Sequence, residues 1–332
     1  MTALLVSHRL HALRGAALRA EAQRAGGEAL EIIVLPADVA ARLPDEECRR
    51  VDIAFFSGDV YPEYSRQFFS AVRKAPRLQW LHVFNAGIDH PIYNEMLERG
   101  VRLTTSSGST AEPIAQTAIA GMLWLARNFR HWMAAQRRHA WEPLRGAQAQ
   151  RDLSGQTALI VGLGHIGAEI ARLARALRMK VSGIRRSGPQ TDDRVDALYR
   201  PGQLDELLPH CDWLIVACPL TPETRGLINA ERLALLPRGA HVVNIARGEI
   251  VDEPALIEAL RGGHLAGAYL DVFQKEPLPA DSPLWDMANV LVTPHNSSSA
   301  AGNDERVFDM FIDNLERWRR GEALRNEVKL RP

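Results

Sequence analysis

The chain has 332 residues, too many for one ordinary domain and enough for two, and its 46% apolar content allows a sizeable core. Lys plus Arg and Asp plus Glu balance at 40 each, so no global field draws in nucleic acid or anionic lipid. The apolar runs, such as Trp213 to Ala217, are strand-length, far short of the roughly 20 residues that span a bilayer. The N-terminus lacks a charged leader and a cleavage site and reads as a buried strand.

In chain order, strand-like runs at Ala3–Val6, Leu30–Leu35, Val51–Phe56 and Leu78–Phe84 alternate with helix-like segments such as Leu10–Arg24 and Pro62–Lys74, and Val101–Thr104 closes the series. A single long helix is expected over Glu112–Arg138, with Ile114, Ala118, Ile119, Met122 and Leu125 at helical spacing. Trp141–Asp152 is polar and reads as a connector. A second alternating series follows, with strands expected at Ala158–Gly162, Lys180–Ile184, Ala197–Tyr199, Trp213–Cys218, Gly239–Ile245, Gly267–Val272 and Val290–Thr293. An amphipathic helix over Asp304–Arg320 and a short tail complete the chain. Strand–helix alternation of this kind implies an α/β protein with two parallel-sheet domains. The three cysteines, Cys48, Cys211 and Cys218, have no metal-site spacing and imply a reduced, cytoplasmic setting.

The run Ala158-Leu-Ile-Val-Gly-Leu-Gly-His-Ile-Gly167 leads a hydrophobic strand into Gly162, Gly164 and Gly167, followed by a helix rich in small residues. This is a dinucleotide-binding turn in its proper context, with the pyrophosphate expected on the helix N-terminus beside His165 and Ile166. At the end of the next strand, where an NAD site wants an acidic residue for the ribose hydroxyls, the chain has Arg185-Arg186-Ser187. Two guanidiniums and a hydroxyl suit a 2′-phosphate, so NADP(H) is the expected cofactor, with NAD(H) also admissible.

Chemistry in an open parallel sheet gathers at the carboxyl ends of the strands. There the later strands deliver Arg247, Asp271 with Glu276 five residues on, and His295. A guanidinium holds a carboxylate bidentately, and a residue titrating near neutrality gives or takes the proton when hydride arrives on a carbonyl carbon. A carboxylate paired with that histidine favours the imidazolium.

On these motifs the sequence resembles the D-isomer-specific 2-hydroxyacid dehydrogenases. The matching runs are Leu159 to Gly167, Cys218-Pro-Leu-Thr-Pro-Glu-Thr-Arg-Gly-Leu-Ile228, Asn244-Ile-Ala-Arg-Gly-Glu-Ile-Val-Asp252, Leu270-Asp-Val-Phe-Gln-Lys-Glu-Pro-Leu-Pro279 and Thr293-Pro-His295. The resemblance implies a Rossmann dinucleotide-binding domain, residues 108–297, inserted into a flavodoxin-like substrate domain, residues 1–107 and 298–332. It implies that Arg247 binds the substrate carboxylate, that His295 is the acid/base and that Glu276 orients it. It also places Pro219, Thr224, Ala246 and Asp271 on the cofactor, Asp271 at the nicotinamide end. Phe84-Asn-Ala-Gly-Ile-Asp89 resembles the family's substrate loop, where N–H groups near Ala86 and Gly87 hold the carboxylate. Family members are usually homodimers joined through the long helix and connector. Gln116 departs from the family, which commonly has Glu there. Within the family the chain looks most like the NADPH-linked glyoxylate/hydroxypyruvate reductases.

The implied activity is hydride transfer from NAD(P)H to a small 2-keto acid, giving a D-2-hydroxy acid, reversibly. Two alternatives stand beside it. One is a non-catalytic dinucleotide-sensing scaffold of the corepressor kind, against which the Arg247, Glu276 and His295 set weighs. The other is a formate- or phosphite-type dehydrogenase, against which Arg185 and Arg186 weigh.

Overall fold

A computed structural model of the chain describes residues 1–24, 30–88, 90–188 and 193–329. Asp89 of the expected substrate loop lies outside the described residues. The first stretch runs β1 (Thr2–Val6), α1 (His8–Arg24), β2 (Leu30–Val34), α2 (Asp45–Arg50), β3 (Ile53–Phe56), α3 (Ser65–Arg73), β4 (Trp80–Val83), α4 (Pro91–Glu98) and β5 (Arg102–Thr105). The middle stretch runs α5 (Ala111–Ala126), α6 (Phe129–Arg137), β6 (Thr157–Val161), α7 (His165–Ala176), β7 (Lys180–Ile184), β8 (Ala197–Tyr199), α8 (Leu204–Leu207), β9 (Trp213–Val216), α9 (Ala230–Leu235), β10 (Ala240–Asn244), α10 (Glu253–Arg261), β11 (Leu265–Leu270) and β12 (Val290–Val292). The chain closes with α11 (Asn303–Arg319) and β13 (Glu327–Val328).

Contacts divide these elements into two units, Met1–Ser109 with Ala301–Pro332, and Thr110–Ala300. The first unit holds a six-stranded sheet of order β13-β5-β4-β3-β1-β2 among the described residues. Strands β1 to β5 are parallel in the flavodoxin-like order 2-1-3-4-5. One face is filled from α3 and α4 by Phe68, Val72 and Met96. The other is closed by α11, whose Phe311 ring stacks on Phe55 at 4.3 Å between centroids and on Trp80 at 5.4 Å. The sheet departs from the all-parallel expectation at β13, which pairs antiparallel with β5 in the register Glu327↔Thr104. Two residues are too few to show a period, and this edge is fixed by side chains, with Arg102 gripping Glu327 at 2.6 and 2.9 Å.

The second unit holds a seven-stranded sheet of order β12-β11-β10-β9-β6-β7-β8, every pairing parallel among the described residues. The order reverses between β6 and β9, the topological switch point where open α/β sheets bind ligands. Helices α5 and α7 cover one face, and Gly121 lets Tyr269 lie against α5, since a Cβ there would stand 2.5 Å from the ring. The expected single helix over 112–138 is two helices. Asn128 takes the left-handed conformation at φ 54°, which a short amide side chain tolerates, and this turns the chain between α5 and α6. Among the described residues no helix is long and apolar enough to cross a membrane.

Candidate functional site

The Gly162–Gly167 turn joins β6 to α7 at the switch point. Gly162 has φ 104°, and a Cβ there would sit 2.5 Å from the backbone of Cys218 after β9, so both conformation and space demand glycine. Gly167 is demanded by contact alone, because a Cβ would fall 2.1 Å from the Gly162 carbonyl oxygen. Gly164 differs from both. It has ordinary φ and ψ of -88° and -162° as the residue before α7, and among the described residues a Cβ there would meet nothing beyond its own chain neighbours within 4 Å. Among the described residues no contact requires glycine at 164. A phosphate approaching the free N–H groups of the first turn of α7 does, and the residues present therefore fit a dinucleotide. His165 is exposed and Ile166 half-buried on that turn.

A cavity of about 400 Å³ opens here, lined by Gly162, Gly164, Arg186, Ser187, Pro219 and Thr224 among others. The Thr224 hydroxyl donates to the Pro219 carbonyl at 2.7 Å and accepts from the Thr221 N–H at 2.7 Å, tying the loop after β9 into a closed turn. Cys218 also lines the cavity, but burial pushes its thiol up to about 11, so it stays protonated and packs as an apolar group. Ala246 lies apart from this lining, buried after β10, with its N–H bonded to Asn244 Oδ1 at 3.1 Å.

Arg185 and Arg186 both line this cavity but are held differently. The Arg185 guanidinium turns inward, with its side chain 11% exposed, and pairs with Asp193 at 2.7 Å. It donates further to the Leu163 carbonyl at 3.2 Å and the Gly188 carbonyl at 2.7 Å. Arg186 and Ser187 are exposed beside the cavity.

Arg247, Asp271 and His295 follow the carboxyl ends of three adjacent strands, β10, β11 and β12, in the registers Asn244↔Leu270 and Leu270↔Val292. Buried Asn244 brackets Arg247, accepting from the Ala246 N–H and donating to the Arg247 carbonyl at 3.0 Å. Gly248 lets the Phe273 backbone come so close that a Cβ would overlap it at 1.8 Å. Phe273 in turn donates its N–H to Glu276 Oε1 at 3.0 Å. The Arg247 and Glu276 loops are thus seated on one another.

The Asp271 carboxylate is engaged inside the protein. Asp271 is 1% exposed. Its carboxylate accepts from Thr293 Oγ1 at 2.6 Å, the Asn296 N–H at 3.0 Å, and the N–H and hydroxyl of Ser297 at 3.2 and 2.5 Å. Its capacity is used within the protein. These bonds hold the turn in which His295 takes φ 50°, an uncommon conformation for a non-glycine residue that persists where its surroundings over-determine it. The His295 N–H donates to the Asp271 carbonyl at 2.7 Å, and its ring Nδ1 meets Glu276 Oε2 at 2.7 Å. An ionised carboxylate only accepts, so Nδ1 carries the proton of that bond and Nε2 is left for a ligand. The His295 side chain is 46% exposed, open enough to meet one.

In the first unit, the loop after β4 carries exposed Ala86 and half-buried Gly87. Asn85 shapes it, donating to the Gly87 carbonyl and accepting from the Tyr93 hydroxyl at 3.2 Å. Gln116 on α5 donates through Nε2 to Glu112 Oε1 at 3.0 Å. The supporting residues Asn244, Gly248, Thr293 and Ser297 were not marked as functional by sequence reasoning. The first three stand inside or beside the quoted motifs, and Ser297 carries no spacing signal at all.

Residues 119–297 match the sequence model described as D-isomer specific 2-hydroxyacid dehydrogenase, NAD binding domain. A glyoxylate reductase of Korarchaeum cryptofilum is 35% identical over 270 residues, 78% of this chain and 80% of that protein. A glyoxylate/hydroxypyruvate reductase B of Pectobacterium carotovorum is 38% identical over 265 residues, 77% of this chain and 81% of that protein. Among solved structures, an NADPH-dependent glyoxylate/hydroxypyruvate reductase from Sinorhizobium meliloti, in complex with NADP and sulfate, superposes with TM-score 0.77 at 29% identity, covering 99% of this chain and 98% of that one. The turn, the strand-end residues and these likenesses agree, and the chain belongs to the D-isomer specific 2-hydroxyacid dehydrogenase family.

Proposed function

We propose that this chain reduces a small 2-keto acid of the glyoxylate or hydroxypyruvate kind with NADPH, giving the 2-hydroxy acid, of D configuration where that carbon is chiral, and that it runs the reverse. The observation that carries the reading is the His295–Glu276 pair at 2.7 Å, at the carboxyl edge of the sheet that holds the dinucleotide turn. The bound nicotinamide supplies the hydride. Arg247 binds the substrate carboxylate with its planar fork of donors. His295 delivers a proton from Nε2 to the carbonyl oxygen as the alcohol forms, and takes it back in oxidation. Glu276 fixes the imidazole through Nδ1 and is itself fixed by the Phe273 N–H. Asp271 is a positioning residue for the His295 turn. In the first unit, the N–H groups at Ala86 and Gly87 are donors to a substrate carboxylate. The family and relatives named above support the reaction class.

Met1–Ser109 with Ala301–Pro332 is the proposed substrate-binding domain and Thr110–Ala300 the cofactor domain. A cytoplasmic setting is supported by three buried free thiols. A homodimer is supported by an exposed apolar cluster on and after α6, with Phe129, Trp132 and Met133 partly bare and Trp141 96% exposed. Trp132→Glu is expected to give monomers in sedimentation, and a wild-type monomer at micromolar concentration removes the dimer.

The test of the activity is NADPH consumption by the purified protein with glyoxylate and hydroxypyruvate. Turnover that is lost in His295→Ala, with NADPH binding intact, is expected. No turnover with any small 2-keto acid, with dinucleotide binding retained, would favour a sensing scaffold instead.

A further inference from the structure

Tyr269, on β11, is fully buried, yet it carries a hydroxyl that the proposed reaction does not use. The hydroxyl lies 2.9 Å from Thr293 Oγ1, which in turn lies 2.6 Å from Asp271 Oδ1. The direction of this chain follows from its far end. An ionised carboxylate only accepts, so Thr293 spends its single hydroxyl proton on Asp271. Thr293 Oγ1 is then the acceptor of the other bond, and Tyr269 donates it. Burial pushes the Tyr269 phenol up to about 12, so it keeps that proton near neutrality.

A threonine hydroxyl is a rotor. The tyrosine proton occupies a lone pair of Thr293 Oγ1 and so disfavours rotations that would turn the Thr293 proton away from Asp271. Bonds in series also polarise one another. Asp271 passes the restraint on. Its carboxylate holds the Asn296 and Ser297 N–H groups, and its carbonyl holds the His295 N–H. His295 sits between these bonds at φ 50°, a conformation that persists only under outside restraint.

Helix α5 backs the same turn at two positions four residues apart, and therefore on one face of the helix. Gly121 lies against the Tyr269 ring, where a Cβ would stand 2.5 Å from Cγ, so the ring is backed directly by helix backbone. One turn earlier, Thr117 shares its hydroxyl proton between the Pro113 carbonyl at 2.9 Å and the Ser297 carbonyl at 3.2 Å. Ser297 is thus held from both sides, its N–H and hydroxyl by Asp271 and its carbonyl by Thr117. Packing alone needs neither hydroxyl, since phenylalanine and valine have nearly the same shapes as tyrosine and threonine.

We propose that Tyr269 and Thr117 are positioning residues for His295. They fix residues 293–297 against α5, Tyr269 through Thr293 and Asp271, and Thr117 through the Ser297 carbonyl. The inference rests on the reading of His295 as proton donor given above.

The test uses the full chain. It measures amide hydrogen exchange at His295, Asn296 and Ser297, whose N–H groups Asp271 holds, together with steady-state reduction of glyoxylate by NADPH. Tyr269→Phe keeps the ring against Gly121 and removes only the hydroxyl. It is expected to speed exchange at these N–H groups about fivefold or more and to lower kcat about fivefold or more. Exchange at Val243 of β10 and the Kd for NADPH should stay within about twofold, which a general loosening of the domain would not allow. Thr117→Val is expected to act in the same sense, and Thr117→Ser, which keeps the hydroxyl, to hold kcat and exchange within about twofold of wild type. Because Tyr269 acts through Thr293, adding Tyr269→Phe to Thr293→Val should cost no more than about a further twofold in kcat. Unaltered exchange in Tyr269→Phe, a normal kcat despite faster exchange, or losses that multiply in the double variant overturn the inference for Tyr269. Equal losses in the valine and serine variants, or none in either, overturn it for Thr117. The Thr117 pair decides whether α5 braces the turn even if Tyr269→Phe does not fold. Wild-type protein that turns over no small 2-keto acid refutes the proposed activity instead, and the exchange rates then still decide whether the turn is braced.

Discussion

Gly164 offers a sharp test of the cofactor site, because among the described residues no contact calls for a glycine there. In Gly164→Ala the new methyl group meets, among the described residues, nothing beyond its chain neighbours within 4 Å, and φ and ψ of -88° and -162° suit alanine. Replacing glycine at a compatible position stabilises by about 0.4–1 kcal/mol, mainly by restricting the unfolded chain. The unliganded variant should therefore unfold at the wild-type temperature or up to roughly 3 °C above it. Binding should move in the opposite direction. The methyl group projects beside the first turn of α7, into the cavity where the pyrophosphate would lie. Pushing the phosphate out of reach removes at least one charge-assisted hydrogen bond of about 1.5–3 kcal/mol, or about 10-fold to 160-fold in Kd. Gly162→Ala is the contrast. Its φ of 104° and its 2.5 Å approach to the Cys218 backbone place the cost on folding, at roughly 3 kcal/mol or more. The assay is calorimetric titration with NADPH alongside thermal unfolding. If Gly164→Ala binds NADPH within about twofold of wild type, or melts as early as Gly162→Ala, the reasoning is refuted.

Arg247→Ala should lose most of kcat/KM while NADPH still binds, at a cost of about 3 kcal/mol or more, and Arg247→Lys should recover little; near-normal activity in the lysine variant would show that fork geometry is unimportant. Thr293→Val removes a 2.6 Å bond that holds Asp271 under the His295 turn; kcat should fall about tenfold with KM for NADPH unchanged, and an unaltered kcat would deny Asp271 its positioning part. Glu276→Gln should lower kcat less than His295→Ala does, and equal losses would make Glu276 more than an orienting group. His82 is buried and held by Thr104 and Ser106 hydroxyls at 2.7 and 3.1 Å, and burial lowers its pKa from 6.5 to about 3. The unfolded chain takes up this proton first, so stability is full above about pH 6.5 and falls toward pH 3, with a slope up to about 1.4 kcal/mol per pH unit. Urea midpoints from pH 7 to 5 should flatten in His82→Gln, and an identical pH slope in the two proteins would contradict this.

The strands and the glycine turn were legible in the sequence because both rest on local rules. Apolar runs bounded by turn residues mark buried parallel strands, and Gly162 and Gly167 are fixed by a turn that permits nothing larger. The strand-end placement of Arg247, Asp271 and His295 was legible for the same reason, since strand ends are where such a sheet exposes polar residues. Direction was not legible. Whether Arg185 points to solvent or inward depends on Asp193, eight residues away across a bend, and no period encodes that meeting. Likewise no sequence spacing shows that the Asp271 carboxylate meets Thr293 and Ser297, which lie on the segment after the next strand. The break at Asn128 was hidden because apolar spacing continues across it, while one left-handed residue is enough to turn the chain.

The return of α11 to the first unit has a consequence for how the protein is made. Phe55 and Trp80 are synthesised early, yet the ring that covers both, Phe311, comes more than two hundred residues later. The second unit, Thr110–Ala300, is continuous and can close its own sheet as it emerges. The first must wait with an aromatic face bare. Contacts of such long sequence separation form late, because the intervening loop is costly to close before it is itself compact. Early folding of the inserted unit shortens that loop, so the middle of the chain serves the ends as a clamp during synthesis, and ribosome stalling or cleavage just before α11 would expose the aggregation-prone face of β3 and β4.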